Sequence, residues 1–217
     1  IIKDWRDTGE EYRRETLQKF SNFVTPDNDF PLRDFISRHD GASESIGYGK
    51  SLMMWHMLRR KIGDENFIAA IKKFYNDNKF KVASFDDMRI ACEDVTGVSL
   101  SAFFNQWVDR KGAPELAIKN ATTDMTGGMY RVNLVLEQVQ DGKAFNIDVP
   151  VNVATEKGVA TFIFNMKLKE QEFQISLDGK PLQLAVDPQY DVFRILDPAE
   201  VPPTLSKIWG SENNVII

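Results

Sequence analysis

Tyr48 is the residue whose surroundings in the sequence best suit chemistry. It stands between Gly47 and Gly49, and Lys50 follows it. An apolar pattern then repeats at intervals of three and four residues, through Leu52, Trp55, Leu58 and Ile62. Flanking glycines relax the backbone and leave a side chain bare. We therefore predict that the Tyr48 side chain projects from the point where a loop is followed by a helix with one buried face. The alternative is a tyrosine that simply packs at a helix start.

The remaining polar residues do not form a metal or nucleophile motif. A zinc hydrolase helix often carries H-E-x-x-H, with two histidines one turn apart, but the only histidines are His39 and His56. His56 lies in an apolar helical pattern, which predicts a histidine hydrogen-bonded in or beside the core, and His39 lies in a predicted loop. No G-x-S-x-G elbow or phosphate-binding loop is present. The sequence itself therefore predicts no metal and no cofactor site.

Composition excludes several classes of protein. The chain has 217 residues and a net charge of −5 without a basic cluster, which excludes a nucleic-acid partner. Cys92 is the single cysteine, so neither an intrachain disulfide nor a cysteine metal cluster is expected. No apolar run approaches the roughly 18 residues of a membrane helix, so we predict no transmembrane segment.

Helical periodicity covers the first half of the chain. The patterns predict helices over 9–24 and 48–62, a third that Asp64 caps, and two more that open with Ser84 and Ser99. Ser84 is followed three residues later by Asp87, close to a capping box. A short helical turn over 31–38 is predicted, with Asp29 as its cap. The predicted stops are Gly63, Gly97, Gly112 and Pro114.

After Pro114 the apolar period changes from helical to two. Alternating runs separated by turn residues predict six or so short strands, each with one apolar face, and hence a small antiparallel β-sandwich. Asp178-Gly179 between two such runs predicts a hairpin. Pro150 interrupts a long run, which predicts an edge strand or a bulge there.

The fold class predicted is therefore α+β, an all-α helical part followed by an antiparallel β-sandwich. The predicted domains are a helical part at 1–115, the sandwich at 116–190 and a C-terminal tail or linker at 191–217. The chain starts with Ile1 rather than methionine and stops in a strand-like run at Val215-Ile216-Ile217. We interpret it as a piece of a longer protein.

Three stretches resemble one enzyme family in order and spacing. Tyr48 to Leu58, with the letters YGKSLMMWHML, is similar to a Y-x-K-G motif before an apolar helix. Ile62 to Phe67 is similar to L-G-D-x-x-F. Leu100 to Trp107, followed by Gly112-Ala113-Pro114, is similar to F-F-x-x-W…G-x-P. Together they resemble the C-terminal part of the thermolysin-like catalytic domain in the aminopeptidase N family of zinc metallopeptidases, a branch of the gluzincins, where a β-sandwich follows.

The resemblance implies that Tyr48 is the catalytic tyrosine, whose hydroxyl donates a hydrogen bond to the oxyanion formed when zinc-bound water attacks the scissile carbonyl. Two features depart from the family pattern. Ser51 replaces the glycine of Y-x-K-G, and the zinc ligands, H-E-x-x-H and a later glutamate, are absent. In the family those ligands precede the tyrosine.

The resemblance thus implies a C-terminal fragment of a zinc aminopeptidase-like protein that is inactive alone. Zinc and a peptide substrate are expected for the full-length protein, and this chain is expected to dock on the missing N-terminal catalytic segment. Bacterial relatives with this arrangement are often exported to the periplasm or cell envelope. The alternative, which Ser51 favours, is a non-catalytic relative that serves as an interaction or structural module.

Overall fold

The computed structural model describes residues 3–200, with side chains from residue 8 onward. Helices occupy the first half, as the periodicity predicts, and strands the second, so the α+β class is confirmed. The α-helices are α1 (Lys3–Phe23), α2 (Gly41–Glu44), α3 (Ser51–Ile62), α4 (Asp64–Asn78), α5 (Phe85–Thr96) and α6 (Ser101–Phe104). Segments of π-helix follow α2 and α6, at Ser45–Lys50 and Asn105–Asp109. Short 3-10 turns lie at Leu32–Asp34 and Pro198–Glu200.

The start and stop of α5 are those predicted from the sequence. The Ser84 backbone N–H donates to the Asp87 carboxylate at 2.7 Å, and the Asp87 N–H donates back to the Ser84 hydroxyl at 3.4 Å. This capping box satisfies two of the N–H groups left free at a helix start. Gly97 ends the helix in the left-handed conformation, at φ 68°.

The helix predicted after Gly63 is confirmed as α4, but the predicted cap role of Asp64 and the predicted helix start at Ser99 were wrong. Gly63, at φ 82°, separates α3 from α4 and precedes the first residue of α4, so Asp64 is inside the helix and caps nothing. The Asp64 carboxylate instead accepts two hydrogen bonds from Arg59, at 2.7 and 2.8 Å. Ser99 lies before the start of α6, which begins at Ser101.

The predicted β-sandwich is confirmed. Two antiparallel three-stranded sheets have the strand orders β1-β2-β5 and β4-β3-β6. Phe164 of one sheet stacks on Phe173 of the other with ring centroids 4.6 Å apart, so the apolar faces meet. The strands are β1 (Leu116–Thr126), β2 (Met129–Gln138), β3 (Ile147–Thr155), β4 (Gly158–Met166), β5 (Glu170–Leu177) and β6 (Pro181–Val186).

Strand pairing contradicts two local predictions. Asp178-Gly179 joins β5 to β6, but these strands lie in different sheets, so the turn is an inter-sheet connection and no hairpin forms. Pro150 lies in β3, the central strand of its sheet, and not at an edge. It is tolerated because β6 pairs with β3 only from Val151 onward. The Pro150 carbonyl accepts from the Asp187 N–H at 2.7 Å, just past the end of β6.

Aromatic contacts join the helical half to the sandwich half. Trp107 stacks on Phe145, which precedes β3, with ring centroids 5.5 Å apart. Phe193, which follows β6, packs edge-on against Phe20 of α1 and against Trp107. One continuous core results, and the chain after β6 contributes to it through Val192, Phe193 and Leu196.

The predicted tail at 191–217 thus begins with buried residues, and 201–217 lie outside the described residues. Within the part of the chain that the structure describes, no helix is both long and apolar enough to cross a membrane.

Candidate active site

Tyr48 lies inside a helix rather than at its start. The helix runs without a break from Gly41 to Ile62, and Tyr48 belongs to its π-helical turn, Ser45–Lys50. The predicted loop-to-helix transition was therefore wrong. The true start is fixed by Asp40, whose carboxylate accepts from the Ser43 N–H at 2.8 Å. That Asp40-x-x-Ser43 spacing is the signal in the sequence that could have located it.

The Tyr48 side chain projects from this turn into solvent and is 60% exposed. Its ring packs edge-on against Phe35, with centroids 5.6 Å apart. No described residue forms a hydrogen bond with its hydroxyl. The phenol is therefore free to donate a hydrogen bond outside the described chain. Single π-helical turns inside α-helices occur frequently at functional sites.

The glycine before Tyr48 is required by packing. A Cβ on Gly47 would lie 2.2 Å from Cε2 of the Phe35 ring, closer than any real contact. Gly47 has no left-handed φ, so its role is close approach rather than the backbone freedom predicted from the sequence. On the other side, a Cβ on Gly49 would lie 3.2 Å from Cγ2 of Thr16 in α1. The turn is thus held between α1 and the loop that carries Phe35.

Lys50 closes the turn and is fully buried. Its ammonium donates to the Arg110 carbonyl at 2.7 Å. Burial lowers the pKa of Lys50 to about 8, while the negative charge of Asp29 opposes this and the positive charge of Arg110 adds to it. Lysine is almost never fully buried in proteins unless it is paired, so this contact sets Lys50 apart from an ordinary surface lysine.

Asp29 is the counter-charge of Lys50. One carboxylate oxygen, Oδ2, accepts from the Gly112 N–H at 2.5 Å. The other, Oδ1, is buried and has no hydrogen-bond partner within the described residues. The predicted cap role of Asp29 was wrong, because the 3-10 turn at Leu32–Asp34 follows Pro31 without a side-chain cap. Its true partners are far along the chain, which local sequence patterns do not reveal.

His56 is a structural histidine, as its apolar surroundings predict. Its Nε2 lies 2.8 Å from the Asp191 carboxylate, which Arg60 and Arg13 also approach, at 3.3 and 3.5 Å. Burial opposes ionisation of Asp191, but the hydrogen bond with His56 and the two arginine charges outweigh it and hold the pKa of Asp191 below its usual value. The exposed His39 lies 3.0 Å from the Ser37 hydroxyl.

A separate cleft of about 750 Å³ lies between the end of α3 and the sandwich. Its walls include Met57, Phe103 and Ile163, and its charged groups are paired, as in the Lys61–Asp148 contact at 2.9 Å. Tyr48 does not line it. The cleft therefore belongs to the junction of the two halves and not to the tyrosine site.

Comparison with known proteins finds partial similarity to aminopeptidases. The chain is 24% identical to the alanine/arginine aminopeptidase of Saccharomyces cerevisiae over 131 residues, which are 59% of this chain and 15% of that protein. It is 24% identical to the tricorn protease-interacting factor F2 of Thermoplasma volcanium over 142 residues, 63% of this chain and 17% of that protein. No protein-family model matches the chain.

A solved structure extends the comparison to the fold. Legionella pneumophila aminopeptidase A, in complex with aspartic acid, superposes with a TM-score of 0.56 and 21% identity, over 77% of this chain and 20% of that one. The chain is related to the aminopeptidase N family. The sequence similarity covers about half of it, and the chain spans less than a fifth of the two curated relatives described above.

Among residues 8–200, no group of three or more histidine, cysteine, aspartate and glutamate side chains is arranged to hold a metal ion. His56 is committed to Asp191, and His39 lies beside a serine. The described residues therefore do not fit a zinc site, and no step of a reaction is assigned to zinc within this part of the chain.

Proposed function

We propose that this chain is the C-terminal part of a longer zinc-dependent aminopeptidase-like protein that hydrolyses peptide bonds, and that the chain alone is inactive. Its contribution is Tyr48, which donates a hydrogen bond to the oxyanion that develops on the substrate carbonyl. The relation to aminopeptidases supports the reaction class. The small share of those proteins that this chain spans supports its being one part of such an enzyme.

The observation that carries the proposal is an exposed phenol on a buried turn. Tyr48 is 60% exposed, whereas Ile46 and Lys50 on either side are fully buried. A neutral donor with no partner among the described residues breaks no internal hydrogen bond when it turns toward a developing negative charge. Because the turn beneath it is buried, the phenol projects from a fixed backbone position before substrate arrives, which favours electrostatic stabilisation of a transition state.

The zinc and its ligands are assigned to a segment outside this chain. We propose that this N-terminal catalytic segment docks over the Tyr48 surface and binds the peptide substrate. Docking would exclude water from the phenol, and a hydrogen bond to an oxyanion strengthens when the local dielectric falls. The isolated chain lacks both the ligands and this cover, which is the physical reason for its expected inactivity.

The alternative is a non-catalytic relative that acts as an interaction or structural module. Ser51, at the position of the family's motif glycine, favours it. The structure accommodates Ser51 as the first residue of α3 without a break in the helix. One relative is named as an interacting factor of the tricorn protease, which supports only the interaction part of this alternative.

Zinc content and the upstream sequence distinguish the two functions. The proposal predicts an H-E-x-x-H segment upstream of Ile1, stoichiometric zinc in the full-length protein and hydrolysis of aminoacyl-p-nitroanilides. The 217-residue chain should bind no zinc and hydrolyse none of these substrates. A full-length protein with no zinc ligands and no hydrolysis would establish the alternative instead.

A further inference from the structure

We propose that Lys50 is the positioning residue for Tyr48, and that the Asp29 carboxylate stabilises the buried Lys50 ammonium. Lys50 fastens the π-helical turn to the backbone that follows the last helix, so that the phenol is presented at a fixed angle. The inference deepens the proposed function, and it rests on that function only where activity is measured. Its geometric part concerns the described residues alone.

The first step is the bond between Lys50 and Arg110. The π-helix at Asn105–Asp109 ends one residue earlier, and Arg110 is extended. The last carbonyls of a helix lack partners inside it and carry partial negative charge. A lysine ammonium 2.7 Å from the Arg110 carbonyl is therefore placed where a cation is favoured. The bond joins the turn that bears Tyr48 to the end of the last helix.

The counter-charge, Asp29, contacts the same backbone segment, residues 110–112. Asp29 accepts from Gly112, two residues beyond the carbonyl that Lys50 binds. Lys50 and Asp29 thus contact the two ends of the turn at 110–112 with opposite charges. The negative charge of Asp29 favours the protonated form of Lys50 against the penalty of burial. Removing the charge of Asp29 would leave the buried Lys50 ammonium without this compensating charge.

The third step links this pair to the phenol. Tyr48 and Lys50 belong to one π-helical turn, and the Phe35 ring fills the space over Gly47 on the other side. The turn is therefore held at both ends, by packing against Phe35 and by the hydrogen bond of the Lys50 ammonium. An apolar side chain could fill the Lys50 site without the cost of desolvating a charge. The Lys50 ammonium therefore serves to orient the turn, because its directional hydrogen bond sets how the turn is rotated.

Fluorine NMR tests the geometry without any assay of activity. The 217-residue chain, labelled with 3-fluorotyrosine, has five tyrosines, and the line lost in Tyr48→Phe identifies Tyr48. Lys50→Met is expected to shift and broaden the Tyr48 line, with the other lines and the circular dichroism unchanged. The matched control is Lys61→Met, which removes a half-exposed pair with Asp148 and should leave the Tyr48 line in place.

An unmoved Tyr48 line in folded Lys50→Met would overturn the proposal. If Lys50→Met does not fold, Asp29→Asn provides the second test, because the amide can still accept from Gly112 but lacks the charge. It should move the Tyr48 line, whereas Asp86→Asn, which alters an exposed carboxylate near Arg33, should not. An unmoved line in Asp29→Asn would again overturn the proposal.

Kinetics of the full-length protein separate this inference from the proposed function. A displacement of about 1 Å in a catalytic group can cost on the order of 100-fold in rate. Lys50→Met should therefore lower kcat by on the order of 100-fold, with KM and zinc content unchanged. A displaced line with unchanged kcat would overturn the role of Tyr48 but not its positioning by Lys50. A lowered kcat with an unmoved line would overturn the positioning.

Discussion

The side chains of Tyr48 and Lys50 project from one π-helical turn in opposite directions, Tyr48 into solvent and Lys50 into the protein interior. The phenol of Tyr48 is 60% exposed, and the ammonium of Lys50 is fully buried, 2.7 Å from the Arg110 carbonyl. Residues two apart in a helix do not share a face, so one turn can present a side chain and anchor itself at the same time. One turn therefore carries both a buried, hydrogen-bonded ammonium and an exposed phenol.

Substitution of Gly47 should damage this turn. A Cβ there would lie 2.2 Å from the Phe35 ring, which itself contacts Tyr48. Gly47→Ala should therefore lower the free energy of unfolding by about 1–3 kcal/mol, the usual cost of overpacking. Chemical denaturation monitored by circular dichroism measures it.

The control for Gly47 is Gly9 in α1. A Cβ on Gly9 would meet only the end of the Arg13 side chain, at 3.4 Å. Alanine is favoured over glycine inside a helix by about 0.5–1 kcal/mol, so Gly9→Ala should be neutral or stabilising. Equal effects of the two substitutions would contradict the packing role of Phe35.

Lys50 should make the free energy of unfolding depend on pH in the alkaline range. Its pKa is about 8 in the folded state, against a usual value of 10.5. Between these values the unfolded chain binds more protons than the folded one, so stability rises with pH. Relative to Lys50→Met, the wild-type chain should gain up to about 3 kcal/mol between pH 8 and 10.5.

Denaturant titrations of both proteins across this pH range measure that gain. Other titrating groups cancel in the difference, since both proteins carry them. Below pH 8 the difference should be flat. A difference that is constant up to pH 10.5 would mean that Lys50 is not desolvated as the structure has it.

Buried and exposed arginine pairs should differ sharply in their contribution to stability. Arg194 is 2% exposed and bonds Asp187 at 2.9 Å and both oxygens of Glu200 at 2.7 Å. Arg194→Met leaves the buried Asp187 carboxylate without its cation, which should cost about 3–5 kcal/mol. Thermal and chemical unfolding would show this as a large loss.

The matched variant is Arg59→Met. Arg59 also makes two short bonds to a carboxylate, that of Asp64, but both side chains are at least half exposed. Exposed pairs contribute about 0–1 kcal/mol, so the loss should be small. If Arg194→Met cost no more than Arg59→Met, the ion pairs of Arg194 with Asp187 and Glu200 would not stabilise the chain after β6.

The sequence was sufficient for features that depend on local periodicity and capping. The period-two runs after Pro114 predicted the sandwich, and Ser84 with Asp87 predicted the start of α5, because a capping box acts within one helical turn. Tyr48 stood out for its glycine neighbours, and the structure places its side chain at the surface.

Features set by distant residues could not be predicted in this way. Gly47 is glycine because Phe35 packs over it, and nothing in the spacing of those residues indicates the contact. Asp29 is satisfied by Gly112, far along the chain. Asp178-Gly179 has the composition of a hairpin turn, but the sheet that each flanking strand joins is decided by tertiary packing.

The kcat of Tyr48→Phe in the full-length protein measures whether Tyr48 stabilises the transition state of peptide hydrolysis, as we propose. Loss of one oxyanion donor should lower kcat by about 100- to 1000-fold, with zinc content and stability unchanged. Tyr75→Phe, at a tyrosine 65% exposed on α4, is the matched control and should keep full turnover. Unchanged kcat in Tyr48→Phe, in a protein that binds zinc and hydrolyses peptides, would show that the Tyr48 hydroxyl does not stabilise the oxyanion.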